Sequence, residues 1–208
     1  MAVRIKVCGI TNEEDALAAS QLGAHALGFV FAPSPRRVSA ERARKIIERL
    51  PPLVQSVGVF VDADPEEVAS TAGFCRLDLL QFHGSESAAY CRRFECRVIK
   101  AIRIKGRGDL ESIADYSDSV DALLLDTHVA QQHGGTGQTF DWNLALEAKG
   151  HGRIILAGGL NPENVADAVR VVEPYAVDAS SGLEQRPGVK DHLKIARFIE
   201  SVYQAARQ

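Results

Sequence analysis

The stretch "IKVCGITNEED", Ile5 to Asp15, contains the unit from which we predict the whole fold. Apolar residues alternate from Val3 to Val7 as they do in a β-strand, and Cys8 and Gly9 end the strand. Thr11 and Glu14 then have the spacing of a helix capping box, with further acidic residues in the first turn. The stretch therefore predicts a strand that passes through a short loop into a helix.

The same unit recurs along the chain. Eight β-rich runs alternate with helical segments, and their starts lie roughly 20 to 32 residues apart. Asp64-Pro65 and Asn161-Pro162 each place a capping residue before a proline, which predicts a helix start. The last helix is predicted over Lys190–Ala206 from its apolar stripe. The predicted strands are Arg4–Cys8, Ala26–Val30, Ser56–Val61, Leu77–Phe82, Val98–Ile102, Ala122–Leu125, Arg153–Ala157 and Ala176–Ala179.

One closed barrel is the fold that this pattern favours. Several strands are almost continuously apolar, as strands covered on both sides are. Eight units in 208 residues are compact for a (β/α)₈ barrel, which typically has ~250 residues. A doubly wound open sheet usually has fewer strands at this length, and no G-x-G-x-x-G follows the first strand. We therefore predict an α/β protein, a single-domain (β/α)₈ TIM barrel over residues 1–208.

The composition excludes some functions. Hydrophobic residues make up 46% of the chain and charged residues 25%, and the net charge is -3. A chain without a basic field is not expected to bind nucleic acid. No apolar run reaches the ~20 residues of a membrane span, so we expect no membrane partner. The first residues follow a strand pattern and not that of a signal peptide, which favours the cytoplasm.

The cysteines and histidines do not predict a metal site. None of the four cysteines forms a C-x-x-C pair, and the six histidines are scattered without pairing at i, i+3 or i, i+4. A disulfide framework is not expected in a chain of this length without a secretory signal. We interpret Cys75, Cys91 and Cys96 as packing residues or bystanders.

In such a barrel the active site lies at the C-terminal ends of the strands. Two glycine-rich turns follow the seventh and eighth strands there, and exposed backbone N–H groups in them, with a short helix after the second turn, would bind a phosphate. Ordinary tight turns are the alternative. The candidate phosphate-binding residues are Gly158, Gly159, Ser180, Ser181 and Gly182. A further stretch, Thr127–Thr139, has three glycines and predicts a mobile loop over the sixth strand, or a plain linker.

Two residues at strand ends are candidates for proton transfer. Asp126 closes the apolar strand "ALLLD", where partial desolvation of a carboxyl group raises its pKa and keeps it protonated, as a general acid requires. A helix cap is the alternative, but no helix pattern begins there. Cys8 can act as a base only where positive charge favours the thiolate, and a small buried residue is the alternative. Cys8 opposite Asp126 would give a base facing an acid.

Three further residues are candidates for substrate binding. Arg36, in a proline-stiffened loop with Arg37, could bind a substrate carboxylate bidentately, although one of the two arginines is expected to be a surface residue. His83 could bond the substrate or a loop carbonyl. Asp178 could bond a sugar hydroxyl or pair with a buried base.

These residues lie in nine blocks of sequence that together resemble one family, phosphoribosylanthranilate isomerase. The blocks run from the first strand to the start of the last helix. They are "KVCGIT" at Lys6–Thr11, "GFVFAPSPRRV" at Gly28–Val38, "GVFVD" at Gly58–Asp62, "LQFHG" at Leu80–Gly84, "LLLDT" at Leu123–Thr127, "GGTGQTFDW" at Gly134–Trp142, "LAGGLNPENV" at Leu156–Val165, "VDASSGLE" at Val177–Glu184 and "PGVKD" at Pro187–Asp191.

The resemblance implies the third step of tryptophan biosynthesis, an Amadori rearrangement of N-(5-phosphoribosyl)anthranilate without metal or cofactor. Its small-molecule phosphoribosyl substrate would be the partner. By the resemblance, Cys8 matches the general base, Asp126 the general acid and Arg36 the arginine that holds the anthranilate carboxylate. The glycine and serine turns match the phosphate site. A monomer or a homodimer is compatible with the family.

Two alternatives have different chemistry. A histidine-pathway isomerase performs the same rearrangement on an aminoimidazole ribotide, but that family uses aspartates as acid and base and has a two-half repeat. Here the first strand offers Cys8, and the two halves lack obvious similarity. A bispecific enzyme would accept both substrates. A non-catalytic sugar-phosphate-binding barrel would need neither Cys8 nor Asp126.

Overall fold

The chain forms a closed barrel of eight parallel strands. The computed structural model describes residues 3–104, 106–126 and 142–207, and the predicted loop Thr127–Thr139 lies outside these residues. Each strand pairs with the next, and the first pairs with the last. The strands are β1 (Arg4–Cys8), β2 (Ala26–Val30), β3 (Gln55–Phe60), β4 (Leu79–Phe82), β5 (Arg97–Arg103), β6 (Ala122–Asp126), β7 (Ile154–Ala157) and β8 (Ala176–Ala179).

Helices alternate with these strands. After β8 the chain also forms a short antiparallel hairpin of β9 (Glu184–Arg186) and β10 (Val189–Lys190). The α-helices are α1 (Glu13–Leu22), α2 (Ala40–Ile47), α3 (Pro65–Cys75), α4 (Ala88–Cys91), α5 (Trp142–Ala148), α6 (Val165–Val172) and α7 (His192–Ala205). The 3₁₀ helices are Arg107–Tyr116, Lys149–His151 and Ser181–Leu183. The predicted TIM barrel is confirmed.

Strand alternation divides the core into two layers. One set of side chains faces the helices, and the other fills the barrel interior with small and branched apolar residues. The interior set is Val57, Ile99, Ala101, Ala122, Leu124, Ile155, Ala157 and Ala176. Polar residues on the same inward face follow this apolar set along two of the strands, Asp126 two residues after Leu124 and Asp178 two residues after Ala176, and they lie nearer the C-terminal rim. Within the described residues, no helix is long and apolar enough to cross a membrane.

At three of the boundaries that differ from the prediction, a side-chain hydrogen bond accounts for the difference. Strand β4 starts two residues later than predicted, since the Asp78 carboxylate accepts from the backbone N–H of Ser56, 2.7 Å away. The first helix is capped by Asn12 and not by Thr11, whose hydroxyl donates to a loop carbonyl. The Asn161 side chain accepts bonds within a turn, so α6 begins only after Asn164.

Candidate active site

The candidate site lies at the C-terminal rim of the barrel, where β1, β4, β6 and β8 end. Cys8 is the last residue of β1 and is 8% exposed. Directly beside it in the sheet is Gly28 of β2. A Cβ atom at Gly28 would lie 2.7 Å from the Cys8 sulfur, so only glycine leaves room for the thiol here.

Beneath Cys8, a buried ion pair joins β1 to β8. The Lys6 ammonium donates to the Asp178 carboxylate, 2.9 Å away, and both side chains are less than a tenth exposed. Burial alone would lower the pKa of Lys6, but Asp178 and Cys8 outweigh it and the pKa is raised. We predicted that Asp178 either bonds a sugar hydroxyl or pairs with a buried base. The structure shows the pair with the buried Lys6 ammonium, and a bond to a sugar hydroxyl stays a prediction. Lys6 was not predicted as a site residue, although it lies on the same inward face of β1 as Cys8.

The pKa of Cys8 is set by opposing influences. Burial raises the pKa of the thiol, and the nearby Asp178 carboxylate adds to this effect. The ammonium groups of Lys6 and Lys190 lower it, and Lys6 also hydrogen-bonds the sulfur. Burial prevails, so the pKa of Cys8 lies above its ordinary value. The two lysines are the positive charge that a thiolate at this position requires.

A second ionic cluster lies over the rim and involves Arg36. Its Nε and Nη2 atoms donate to the two carboxylate oxygens of Glu184, at 2.8 and 2.7 Å. Lys190 donates to the same carboxylate, 3.1 Å away, and to the Ser180 carbonyl. Burial alone would raise the pKa of Glu184, but its bonds to Arg36 and Lys190 lower it. The hairpin residues Glu184 and Lys190 were not predicted as site residues.

Asp126 lies against His83. Asp126 ends β6 with about a fifth of its side chain exposed, and its Oδ2 atom is 3.1 Å from His83 Nε2. The other ring nitrogen, Nδ1, is 3.2 Å from the side-chain nitrogen of Gln81. Both nitrogens of His83 therefore have protein partners, and its contact with a substrate stays a prediction.

The two glycine-rich turns lie together after β7 and β8. Gly158 and Gly159 have left-handed φ angles of 88° and 67°. A Cβ at Gly182 would overlap the carbonyl oxygen of Leu160, so the backbones of the two turns pack directly on each other. The predicted short helix after Gly182 is wrong in position, because a 3₁₀ turn over Ser181–Leu183 contains that glycine and leads into the hairpin.

Comparison with known proteins shows the family to which the chain belongs. A family model described as N-(5'phosphoribosyl)anthranilate (PRA) isomerase matches residues 5–201. The chain is 55% identical over 197 residues to the N-(5'-phosphoribosyl)anthranilate isomerase of Geobacter sp. strain M21, covering 94% of this chain and 96% of that protein. It is 51% identical over 202 residues to the enzyme of that name from Pseudomonas fluorescens Pf0-1, covering 97% and 98%.

Solved structures give the same result. The phosphoribosyl anthranilate isomerase of Thermotoga maritima has a TM-score of 0.90 at 46% identity, covering 97% of this chain and 99% of that one. A phosphoribosyl anthranilate isomerase in complex with reduced 1-(o-carboxyphenylamino)-1-deoxyribulose 5-phosphate has a TM-score of 0.88 at 44% identity, with the same coverage. With a family model that spans almost the whole barrel and relatives more than half identical, the chain belongs to the N-(5'-phosphoribosyl)anthranilate isomerase family.

Proposed function

We infer that this chain is an enzyme that isomerises N-(5'-phosphoribosyl)anthranilate to 1-(o-carboxyphenylamino)-1-deoxyribulose 5-phosphate, a step of tryptophan biosynthesis. The family match over residues 5–201 carries this inference. The substrate is a small molecule, as in the relative bound to the reduced product analogue. The reaction converts an aldose to a ketose and needs an acid and a base.

Asp126 acts as the general acid in this proposal. Its protonated carboxyl group gives the proton to the furanose ring oxygen, and the C1–O bond breaks to leave an open-chain Schiff base. Its position at the end of β6 and its partial exposure support this role, since the group must reach the substrate from the barrel mouth.

Cys8 acts as the general base. Its thiolate removes the proton from C2 of the opened sugar, whose acidity the iminium nitrogen has raised. The resulting enolamine then tautomerises to the ketone, and no bond forms between enzyme and substrate. The ammonium groups of Lys6 and Lys190 support this role, because they lower the pKa that burial raises.

Arg36 holds the anthranilate carboxylate. Its guanidinium is bonded to Glu184 through two nitrogens, which fixes the plane in which its remaining N–H groups point. A substrate carboxylate can bind to those groups while Glu184 keeps the arginine in place. The substrate would then lie with its anthranilate end toward β2 and the hairpin.

The phosphate group binds at the turns after β7 and β8, formed by Gly158, Gly159 and Ser180–Gly182. The close packing of these turns supports a shared site for one dianion. His83 and Asp178 complete the proposed substrate contacts at the rim. Asp178 would have to bind a sugar hydroxyl in addition to Lys6, and His83 in addition to Gln81 and Asp126.

The setting of the enzyme is also part of the proposal. We place the enzyme in the cytoplasm, as its composition and its biosynthetic reaction indicate. We propose that the protein is a monomer or a homodimer. One of the similar solved structures is of monomers that were generated from the dimeric enzyme of Thermotoga maritima. Light scattering of the purified chain, and fractionation of cells that express it, would test these two points.

The test of the reaction is the loss of the fluorescence of phosphoribosylanthranilate generated in situ. We expect the purified chain to consume this substrate and the aminoimidazole ribotide to be turned over poorly or not at all. Comparable rates with both substrates would establish a bispecific enzyme. Turnover of the aminoimidazole ribotide alone would overturn the proposed function.

A further inference from the structure

The ring of His83 is held between two side chains that approach its opposite nitrogens. Gln81 and His83 are two residues apart on and after β4, so both point toward the barrel interior. Gln81 Nε2 is 3.2 Å from Nδ1, and Asp126 Oδ2 is 3.1 Å from Nε2. The three side chains thus form a chain of hydrogen bonds that ends on the proposed general acid.

Within the part of the chain that the structure describes, the side-chain amide of Gln81 has one hydrogen-bond partner, His83. Gln81 is 1% exposed, and its Oε1 atom has no hydrogen-bond partner among the described residues. Its amide nitrogen can only donate, so Nδ1 of His83 must accept. A neutral imidazole that accepts at Nδ1 carries its hydrogen on Nε2, and that hydrogen points at Asp126 Oδ2.

We propose that Gln81 is a positioning residue that selects the Nε2–H form of His83 and thereby places the acidic proton of Asp126 on Oδ1. The proposal rests on the general-acid role of Asp126. With Nε2–H donating to Oδ2, that oxygen cannot also carry the proton that is transferred to the ring oxygen. Once the proton has left, the same bond stabilises the carboxylate that remains.

The opposite tautomer would impair the acid. A lone pair on Nε2 would accept the proton of Asp126 from Oδ2 and hold it within the protein, turned away from the sugar. The side chain at position 81 decides between the two forms, because a donor requires a lone pair on Nδ1 whereas an acceptor requires a hydrogen there. Gln81→Glu, which offers only acceptors when ionised, should therefore reverse the tautomer.

The direct measurement is ¹⁵N NMR of the wild-type protein labelled at histidine, with His83 assigned by its loss in His83→Gln. We expect the His83 signals of a ring protonated on Nε2 and unprotonated on Nδ1. A ring protonated on Nδ1 would overturn the proposal. Because no substitution at position 81 is needed, this result does not depend on how well a variant folds.

The kinetic test is a double-mutant cycle. Gln81→Glu should lower kcat by roughly tenfold or more and change KM by less than about twofold, since the residue acts through another group. In the background of His83→Gln, whose amide can donate to Asp126 but has no tautomers, Gln81→Glu should change kcat by less than about twofold. An equal loss in both backgrounds would mean a general structural effect and would overturn the proposal.

A second variant covers the case in which a buried glutamate prevents folding. Gln81→Met removes the donor without adding charge, and its His83 spectrum should show both tautomers. A spectrum identical to wild type would overturn the proposal.

The variant Asp126→Asn separates this inference from the proposed function. If Asp126→Asn is active, the assignment of Asp126 as the general acid fails, and the inference fails with it. If Asp126→Asn is inactive while Gln81→Glu has wild-type kcat and tautomer, only the inference fails.

Discussion

Two buried lysines from different parts of the chain lower the pKa of Cys8. Lys6 precedes it by two residues on β1, and Lys190 comes from hairpin strand β10. The alternation of β1 could have identified Lys6, because residues i and i+2 of a strand face the same side. Nothing local identifies Lys190, since its position depends on the fold of a hairpin near the other end of the sequence.

The rate should depend on pH through the Cys8 thiol. Its pKa is raised, so the thiolate is scarce at neutral pH and forms as the pH rises through that pKa. Since the proposed reaction also needs a protonated Asp126, which becomes scarcer as the pH rises, we expect the pKa of Cys8 to mark the alkaline limb of a bell-shaped kcat/KM profile. Lys6→Met removes the larger of the two cationic influences, so it should move this limb to higher pH and lower the rate at neutral pH, where less of the thiol is then ionised.

The matched control is Lys45→Met, on the exposed face of α2, which should leave the pH profile unchanged. A Lys6→Met profile that coincides with wild type would contradict the electrostatic role of Lys6. Circular dichroism of both variants is needed, because Lys6→Met also leaves Asp178 without its cation.

Arg36 and Arg37 allow a comparison between neighbouring residues. We expect Arg36→Ala to raise KM roughly tenfold or more and to lower kcat less, because the carboxylate that it holds is remote from the proton transfers. Arg37 is exposed, and Arg37→Ala should leave both constants within about twofold of wild type. Steady-state kinetics of the two variants measure this. If Arg36→Ala lowers kcat more than it raises KM, the arginine acts in the chemical steps and not in substrate binding.

At the scale of elements, the eight strands were predictable because each combines apolar patterning with turn residues at its ends. Three of the strands have the predicted bounds, and the others differ by one or two residues at one end or at both. The hairpin β9–β10 was not predicted. It has only five strand residues, and Glu184 and Lys190 bond to Arg36 and Asp15, which are far away in the sequence, so there is little local pattern.

The contact between the turns after β7 and β8 gives an element-scale prediction. Gly182→Ala should force the two turns apart, because its Cβ would overlap the Leu160 carbonyl. We expect KM to rise several-fold and the free energy of unfolding to fall by roughly 1–3 kcal/mol. Gly73→Ala is the control, since α3 has open space there and alanine should stabilise the helix by roughly 0.5–1 kcal/mol.

Urea unfolding followed by circular dichroism, together with the fluorescence assay, measures both quantities. Unchanged KM in a stable Gly182→Ala variant would remove this turn from the proposed phosphate site. If Gly73→Ala lowers the free energy of unfolding as much as Gly182→Ala does, the close contact between Gly182 and Leu160 is not the cause of the destabilisation.

At the scale of the whole molecule, the barrel brings together residues that are far apart in the sequence. Arg36 and Glu184 are 148 residues apart and Lys6 and Asp178 are 172 apart, yet each pair is in direct contact. The barrel rule predicted which strand ends meet at the rim, and so found Cys8, Asp126 and the glycine turns as candidates. It could not predict which charges pair, because pairing depends on side-chain packing that strand patterns do not encode.

The central claim is that Cys8 and Asp126 are the base and acid of one isomerisation. Its most direct test is the rate of loss of phosphoribosylanthranilate fluorescence with wild type, Cys8→Ser and Asp126→Asn, all shown to unfold cooperatively. We expect turnover by wild type and a decrease in kcat of at least about 100-fold in each variant, since a general acid or base contributes this much or more. A folded variant of either kind with near-normal turnover would contradict the account.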